Sequence, residues 1–323
     1  MEPLPKGANF VRSKMLWEIG LHIAGNPATP YGGNRDMQIT VGSGGAASFT
    51  PWLRMTTGSA IIAEEVCSGG VEMAFVNPSA LLTQAYRGVG VFSKPLPVRV
   101  VANYPSWDRA LFMVHTRTGI RSIKDIKDKK YPLKVSVRED PTHSTHALID
   151  QAFGLHGFTL KDVVGWGGKL VLCGSPMDRR RLDPLRAGEL DAVFDEGIRT
   201  WIDDALNSGM MPIELSDGEF DALGKLGWRK VTLPASRWAR LGRDYATIDF
   251  GGWPIYTRAS LPDQVAYDVC AAIAAREAEM PWESGAYHGL GQLGKDTEET
   301  PLDVPLHPGA ERWYREHAAS ARG

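Results

Sequence analysis

The sequence predicts an α/β protein built as two lobes. Three observations point there. The chain has 323 residues, room for two structural units at about 100–200 residues per domain. Short β-rich runs alternate with helical runs, the pattern of a parallel sheet covered by helices. One grammatical unit also occurs twice. Residues 59–79 and 178–197 each run helix, glycine, acidic residue, strand, polar loop. A duplicated α/β unit fits two similar lobes, each with its own sheet.

The elements follow in order. Phe10, Met15, Leu16, Ile19 and Ile23 stand at helical spacing, so 9–24 reads as a helix. Residues 37–42 are a short β-rich run. Ser59 is placed as the N-cap of a helix that stops at Gly69. A strand at 71–76, a break at Asn77-Pro78-Ser79 and a second helix come next. Residues 98–103 and 110–115 read as strands, and Ser122 opens a short polar helix. A strand at 133–138 leads through a polar turn, 139–145, into a helix. A strand at 169–174, a helix at 176–188, a strand at 189–197 and a helix at 198–208 complete the middle. After a mixed segment, 249–258 is an extended return. A helix from Asp263 to about Ala278 has Pro262 near its start and Asp263 as a cap. The last helix is expected at about 309–319.

Composition narrows the function. Hydrophobic residues are 43% and charged ones 23%, a soluble globular balance rather than a disordered one. Lys plus Arg is 36 and Asp plus Glu is 38, for a net charge of −2, a poor start for a nucleic-acid binder. There is no run of about 18 apolar residues to span a membrane. Cys67, Cys173 and Cys270 are too far apart for a zinc-finger spacing. The start, MEPLPKGANF, lacks the basic and apolar regions of a signal peptide, which taken alone predicts the cytoplasm.

The best functional signal is a set of small polar loops, each preceding a helix. They are Lys6-Gly7-Ala8-Asn9, Thr57-Gly58-Ser59, Asn77-Pro78-Ser79 and Asp140 to Thr145 with Thr142, His143 and Ser144 between. Helix N-termini expose free N–H groups and a positive dipole end, which suit carboxylates. Several such loops at strand ends suggest a ligand cleft. Arg138 ends a strand beside the polar turn, where its guanidinium could fork a carboxylate. Asp195 and Glu196 adjoin at another strand end, as an acid/base or cation-binding pair or as a cap and a solvated side chain. His143 and His146 would need a third ligand to hold a metal, and none is expected. Arg179, Arg180 and Arg181 read as a solvated face. GxSxG, HExxH and GxxxxGK[ST] are absent, so no catalytic residue and no cofactor is assigned.

The order of these motifs resembles the TAXI family of solute-binding proteins, which serve TRAP-type tripartite transporters. Lys6-Gly7-Ala8-Asn9-Phe10 is similar to that family's first glycine loop, with Ala8 and Phe10 as departures. Thr57-Gly58-Ser59, Gly69, Glu72-Met73-Ala74-Phe75 and Asn77-Pro78-Ser79 match its next loop, helix and strand. Ile123 to Lys127, Thr142 to Thr145, Gly188 to Phe194 and Tyr256 to Pro262 are similar to later motifs. Residues 42–56 look like an insertion, and Asp195-Glu196 stand where the family favours small or apolar residues. The resemblance implies a type II periplasmic-binding-protein fold, with lobe I at 1–103 plus 250–323, lobe II at 104–249, and hinges near 101–105 and 247–252. It implies a small organic-acid ligand in the cleft, TRAP membrane subunits as partners and a periplasmic location. It also implies a strand before residue 6. The strand is then very short, or the chain as given starts late, or this is a cytoplasmic relative. The rival reading is a cytosolic enzyme on the same fold, such as an aromatic-acid decarboxylase.

Overall fold

The computed structural model describes residues 8–26, 37–42, 52–57 and 62–317. Lys6, Gly7, Gly58, Ser59, residues 43–45 and the side chain of Asn9 lie outside the described residues. The chain forms two mixed sheets flanked by helices.

The first sheet uses β1 (Gln38–Gly42), β2 (Trp52–Thr56), β3 (Met73–Phe75), β4 (Val98–Tyr104) and a late strand, Trp253–Arg258. Its order is β1, β2, β3, the late strand, β4. Helix α1 (Ala8–Gly25) precedes it, and α2 (Ala63–Ser68) and α3 (Ser79–Arg87) lie within its span. Among the described strands of this sheet only β2 and β3 run parallel; the late strand pairs antiparallel with both β3 and β4. The expected parallel sheet is thus mixed, because the chain re-enters it from the opposite direction. The stretch taken as an insertion holds β2, which lies beside β3 with Met55 opposite Met73. Its alternation explains this. Leu53 and Met55 pack against the buried Met73 cluster. Between them Arg54 meets the buried Glu72 through two guanidinium nitrogens, at 2.9 and 3.1 Å.

The second sheet begins with β5 (Arg109–His115). It continues through α4 (Ile123–Asp128), β6 (Lys134–Arg138), α5 (Ser144–Gly154), α6 (Leu160–Gly165) and β7 (Lys169–Cys173). Then come α7 (Arg179–Arg186), β8 (Ala192–Asp195), α8 (Ile202–Ser208) and β9 (Met210–Pro212). The mixed segment resolves into α9 (Asp217–Lys225), β10 (Lys230–Leu233) and β11 (Tyr245–Asp249). The order is β10, β11, β5, β8, β6, β7, with β9 also on β5. β8 runs parallel to β6 and antiparallel to β5. β8 is therefore a central strand, and its last residue, Asp195, is buried.

The chain then crosses back through β12 (Trp253–Arg258), the late strand above, to α10 (Asp263–Ala275) and α11 (Pro308–His317). Pro262, not Asp263, takes the cap position of α10, and no side chain caps it. Asp263 is instead its first helical residue. Ser122 caps α4 as expected, accepting from Asp125 N at 3.1 Å. Gly69 ends α2 with φ +85°, which L side chains rarely adopt.

One apolar cluster runs through both sheets' bodies. It joins Leu81, Leu82 and Ala85 of α3 to Phe153, Phe194, Leu223, Trp228 and Phe250. Within this seam Gln84 and Gln151 exchange amide hydrogen bonds at 3.2 and 3.1 Å.

Candidate functional site

The starts of α3 and α5 meet, one from each sheet's body. α3 follows β3 through a cis Asn77-Pro78 bond. The Ser79 N–H donates to the carbonyls of Gly251 and Gly252 at 3.3 and 3.1 Å. The Ser79 hydroxyl accepts from Asn103 Nδ2 at 3.2 Å. Gly252 has φ +70°, and a Cβ there would collide with the Ser79 hydroxyl. On the other side His143 caps α5, its Nδ1 accepting from the Thr145 N–H at 3.3 Å and lying 3.0 Å from Thr145 Oγ1. Ser144 Oγ donates to the Asn77 carbonyl, closing the join. Asn77 Oδ1 and Asn103 Oδ1 are buried there without a hydrogen-bond partner.

Beside the join lies a buried charge cluster. Arg138 donates from Nε to Asp195 Oδ1 at 2.9 Å, from one terminal nitrogen to Glu196, and from the other to the Gly174 carbonyl at 3.2 Å. Its expected fork for a ligand carboxylate is thus already filled by the protein's own acids. Arg181 corrects the sequence reading outright: it has 0% exposure, not a solvated face. It donates to Ser136 Oγ at 2.9 Å and lies 2.5 Å from Asp195 Oδ2. Arg179 and Arg180 are exposed as expected. The physical reason is geometric. A carboxylate at the end of a central strand needs charged partners to offset its lost hydration. Two arginines and two acids leave the cluster neutral.

His143 Nε2 stands 4.0 Å from Glu196 Oε1. Burial, then the Arg138 charge, pulls the His143 imidazole down to about 4. A histidine whose folded value lies below its usual 6.5 contributes stability above that value and loses it as pH falls towards 4. This histidine should therefore account for at most about 3 kcal/mol of acid destabilisation. In urea unfolding between pH 7.5 and 5, His143→Gln should show a shallower acid loss than the parent. Equal slopes would refute the assignment.

The remaining sequence candidates fall elsewhere. Thr142 is exposed and both its N–H and hydroxyl donate to Asp140 at 2.8 Å, a local turn. Thr57 accepts from Met37 N at 2.8 Å beside β1 and lines an apolar cavity instead. Asn9 lies inside the first turn of α1 rather than in a loop before it. His146 Nε2 is 2.8 Å from the Arg138 carbonyl. Among the described residues no group of three His, Cys, Asp or Glu side chains could hold a metal, and the three cysteines are free.

Sequence reasoning missed a second charged cluster at the crossing between the sheets. Asp108 accepts backbone N–H bonds from Arg109 at 2.7 Å, Gly197 at 2.8 Å and Ile198 at 3.4 Å. Burial pushes its carboxyl up to about 7. Arg109 has 0% exposure, donates to Asp249 at 3.0 Å and pairs with Glu298. Nearby, Arg199 meets Glu283 at 2.8 Å, and Arg229 meets Asp296 and Asp303 at 2.7 and 2.9 Å. The segment after α10 is thereby tied to the second sheet's body by acid–arginine pairs. The only local signal was the Asp-Arg pair opening a strand.

Among solved structures the chain is similar to the L-cystine solute receptor of Neisseria gonorrhoeae in its unliganded open form. Identity is 14%, coverage 75% of this chain and 73% of that one, and the TM-score 0.27. A Trichodesmium protein in complex with iron and citrate matches at 13% identity, over 82% and 86%, with a TM-score of 0.35. The aliphatic sulphonate binding protein of Escherichia coli matches at 13%, over 68% and 58%, with a TM-score of 0.29. Overlaps this loose transfer no residue role and no ligand. The sequence match is broader: the model of the NMT1-like family fits residues 17–317. Matched over nearly its whole length, the chain belongs to the NMT1-like family.

Proposed function

We propose that this chain is a solute-binding receptor of a transport system, holding a small organic acid where α3 and α5 meet. The observation that carries this reading is the join itself. Two helix starts, each on a different sheet's body, bring Asn77, Ser79, His143, Ser144 and Thr145 together. Helix N-termini and small hydroxyls suit a carboxylate. The unpartnered oxygens of Asn77 and Asn103 ask for a donor on the ligand. Within small organic acids, those bearing a hydroxyl or amino group fit best. Arg138 then acts through the cluster rather than as a direct fork.

Access needs motion. The void beside Thr145, Phe194 and Asp195 is only about 10 Å³, at most room for one water. Opening would occur about the crossings near 101–109 and 249–253, dividing the chain close to the lobe boundaries 1–103 plus 250–323 and 104–249. Binding energy would then favour the closed form, and that form would dock membrane subunits, TRAP-type by the family resemblance, in the periplasm. No helix of the described residues is long and apolar enough to cross a membrane. The enzyme alternative is less well supported, because Asp195 and Glu196 are held by arginines.

Calorimetry against dicarboxylates, keto acids, hydroxy acids and acidic amino acids tests this. One or more should give saturable 1:1 heat. Ser144→Val, which removes the hydroxyl at the join, should weaken it about tenfold, the scale of one hydrogen bond. A folded sample that gives no heat with any of them overturns the organic-acid reading.

A further inference from the structure

A cavity of about 870 Å³ lies away from the join, within the first sheet's body. Its floor is the sheet, through Met55, Met73 and Ile255. Val269 and Ala272 of α10 form one wall, and Trp17 and Leu21 of α1 another. Such a volume falls in the range of about 300–1,000 Å³ typical of small-molecule sites. The lining is almost wholly apolar. Its charged members are Asp268 and Arg276, eight residues apart on and just past α10. That separates them by about 12 Å along the helix axis, so they mark different parts of the rim.

Three physical points bear on what fills it. Water inside would find few polar partners, so an apolar occupant is favoured over water there. Methionines 37, 55, 73 and 280 line it, and unbranched thioethers adapt to varied apolar shapes. Tyr104 and Trp282, both lining residues, stack at 5.6 Å, and Trp282 stacks on Tyr287 at 4.2 Å, giving a rigid aromatic end. Helix α1 presents Trp17, Ile19 and Leu21 at 40%, 51% and 43% exposure, an apolar surface beside the opening.

We propose that this cavity is a second binding site, for a single-chain amphiphile of the fatty-acid class. The hydrocarbon chain occupies the apolar interior between α1, the sheet and α10. The carboxylate lies at the Arg276 end, where that guanidinium otherwise makes one exposed i,i+3 pair with Glu279 at 3.4 Å. Asp268 disfavours the reverse orientation. The site is separate from the α3–α5 join and does not depend on the receptor reading.

The test uses dodecanoate and dodecanol with the full chain, by native mass spectrometry and quenching of tryptophan fluorescence with a spin-labelled fatty acid. Dodecanoate should bind 1:1. Ala272 is exposed on α10 yet lines the cavity, so Ala272→Trp fills the site without crowding the core. It should abolish binding while leaving circular dichroism and melting unchanged. Arg276→Ala should weaken dodecanoate about tenfold and leave dodecanol unaffected. Binding that survives Ala272→Trp, binding removed by Ser144→Val, or no binding up to the solubility limit overturns the proposal. Equal loss of dodecanoate and dodecanol in Arg276→Ala overturns the head-group assignment.

Discussion

Asp195→Ala is expected to destabilise the protein by about 3–5 kcal/mol, the cost of breaking a buried ion cluster from one side. The carboxylate is 2% exposed and serves two arginines, Arg138 at 6% and Arg181 at 0%. Its loss leaves Arg138 with Glu196 and the Gly174 carbonyl, and Arg181 with the Ser136 hydroxyl and the Trp201 ring but no carboxylate. Against a total stability of about 5–15 kcal/mol the loss is large. Urea unfolding by circular dichroism reads it directly. Arg180→Ala serves as the contrast: that side chain is exposed, pairs with Asp178 and Glu139, and should cost less than about 1 kcal/mol. Pairing Asp195→Asn with Arg181→Met should recover part of the loss, since apolar replacements of buried pairs are often tolerated. A single Asp195→Ala within about 1 kcal/mol of the parent would show that the cluster does not hold the strand ends together.

The same cluster shows what the sequence could and could not reveal. Strand β8 was legible because Leu190, Ala192, Val193 and Phe194 form an apolar run after a glycine. The partners of Asp195 were not. Arg181 sits in a triple-arginine run on a helix with exposed neighbours, and no local pattern marks one of three as buried. Only the rotation of α7 against the sheet does that. The helix starts at 79 and 144 were readable from Pro78, Ser79, His143 and Ser144. That they meet was not, because it depends on how two sheets face each other. β2 was missed because Trp52-Leu53-Arg54-Met55-Thr56 is short and carries an arginine. Its place in the sheet becomes reasonable only with Glu72, eighteen residues on, to pair with Arg54. The parallel sheet proved mixed for a similar reason: local alternation says nothing about the direction of a strand that returns to the sheet from far along the chain, as β12 does.

Arg109→Met is expected to cost about 3–5 kcal/mol at pH 8, and clearly less at pH 5. Arg109 is fully buried at the start of β5, where the chain has just left the first sheet. It holds Asp249, at the end of β11, where the chain is about to return. It also holds Glu298, in the segment that follows α10, and Trp107 Nε1 donates to the same carboxylate at 2.8 Å. One guanidinium therefore ties both crossings and the C-terminal segment. The pH dependence follows from Asp249. Burial raises its carboxyl to about 6 even with the Arg109 charge opposing that rise. A carboxyl whose folded value exceeds its usual 3.8 contributes stability at low pH and loses it as pH rises through the folded value. Removing Arg109 should push that value higher still. The buried acid is then accommodated as the neutral form at pH 5 but must ionise unpaired, or unfold its surroundings, at pH 8. Methionine fills part of the vacated volume, so the loss reads charge rather than a cavity. Urea unfolding at the two pH values gives the stability difference. Small-angle scattering gives the second readout: with Glu298 released, the radius of gyration should rise as the two sheets' bodies part. A penalty that is equal at pH 5 and pH 8 would show that Asp249 is not the group left exposed. An unchanged radius would show that the seam of Leu81, Phe153 and Trp228, rather than this arginine, holds the bodies together.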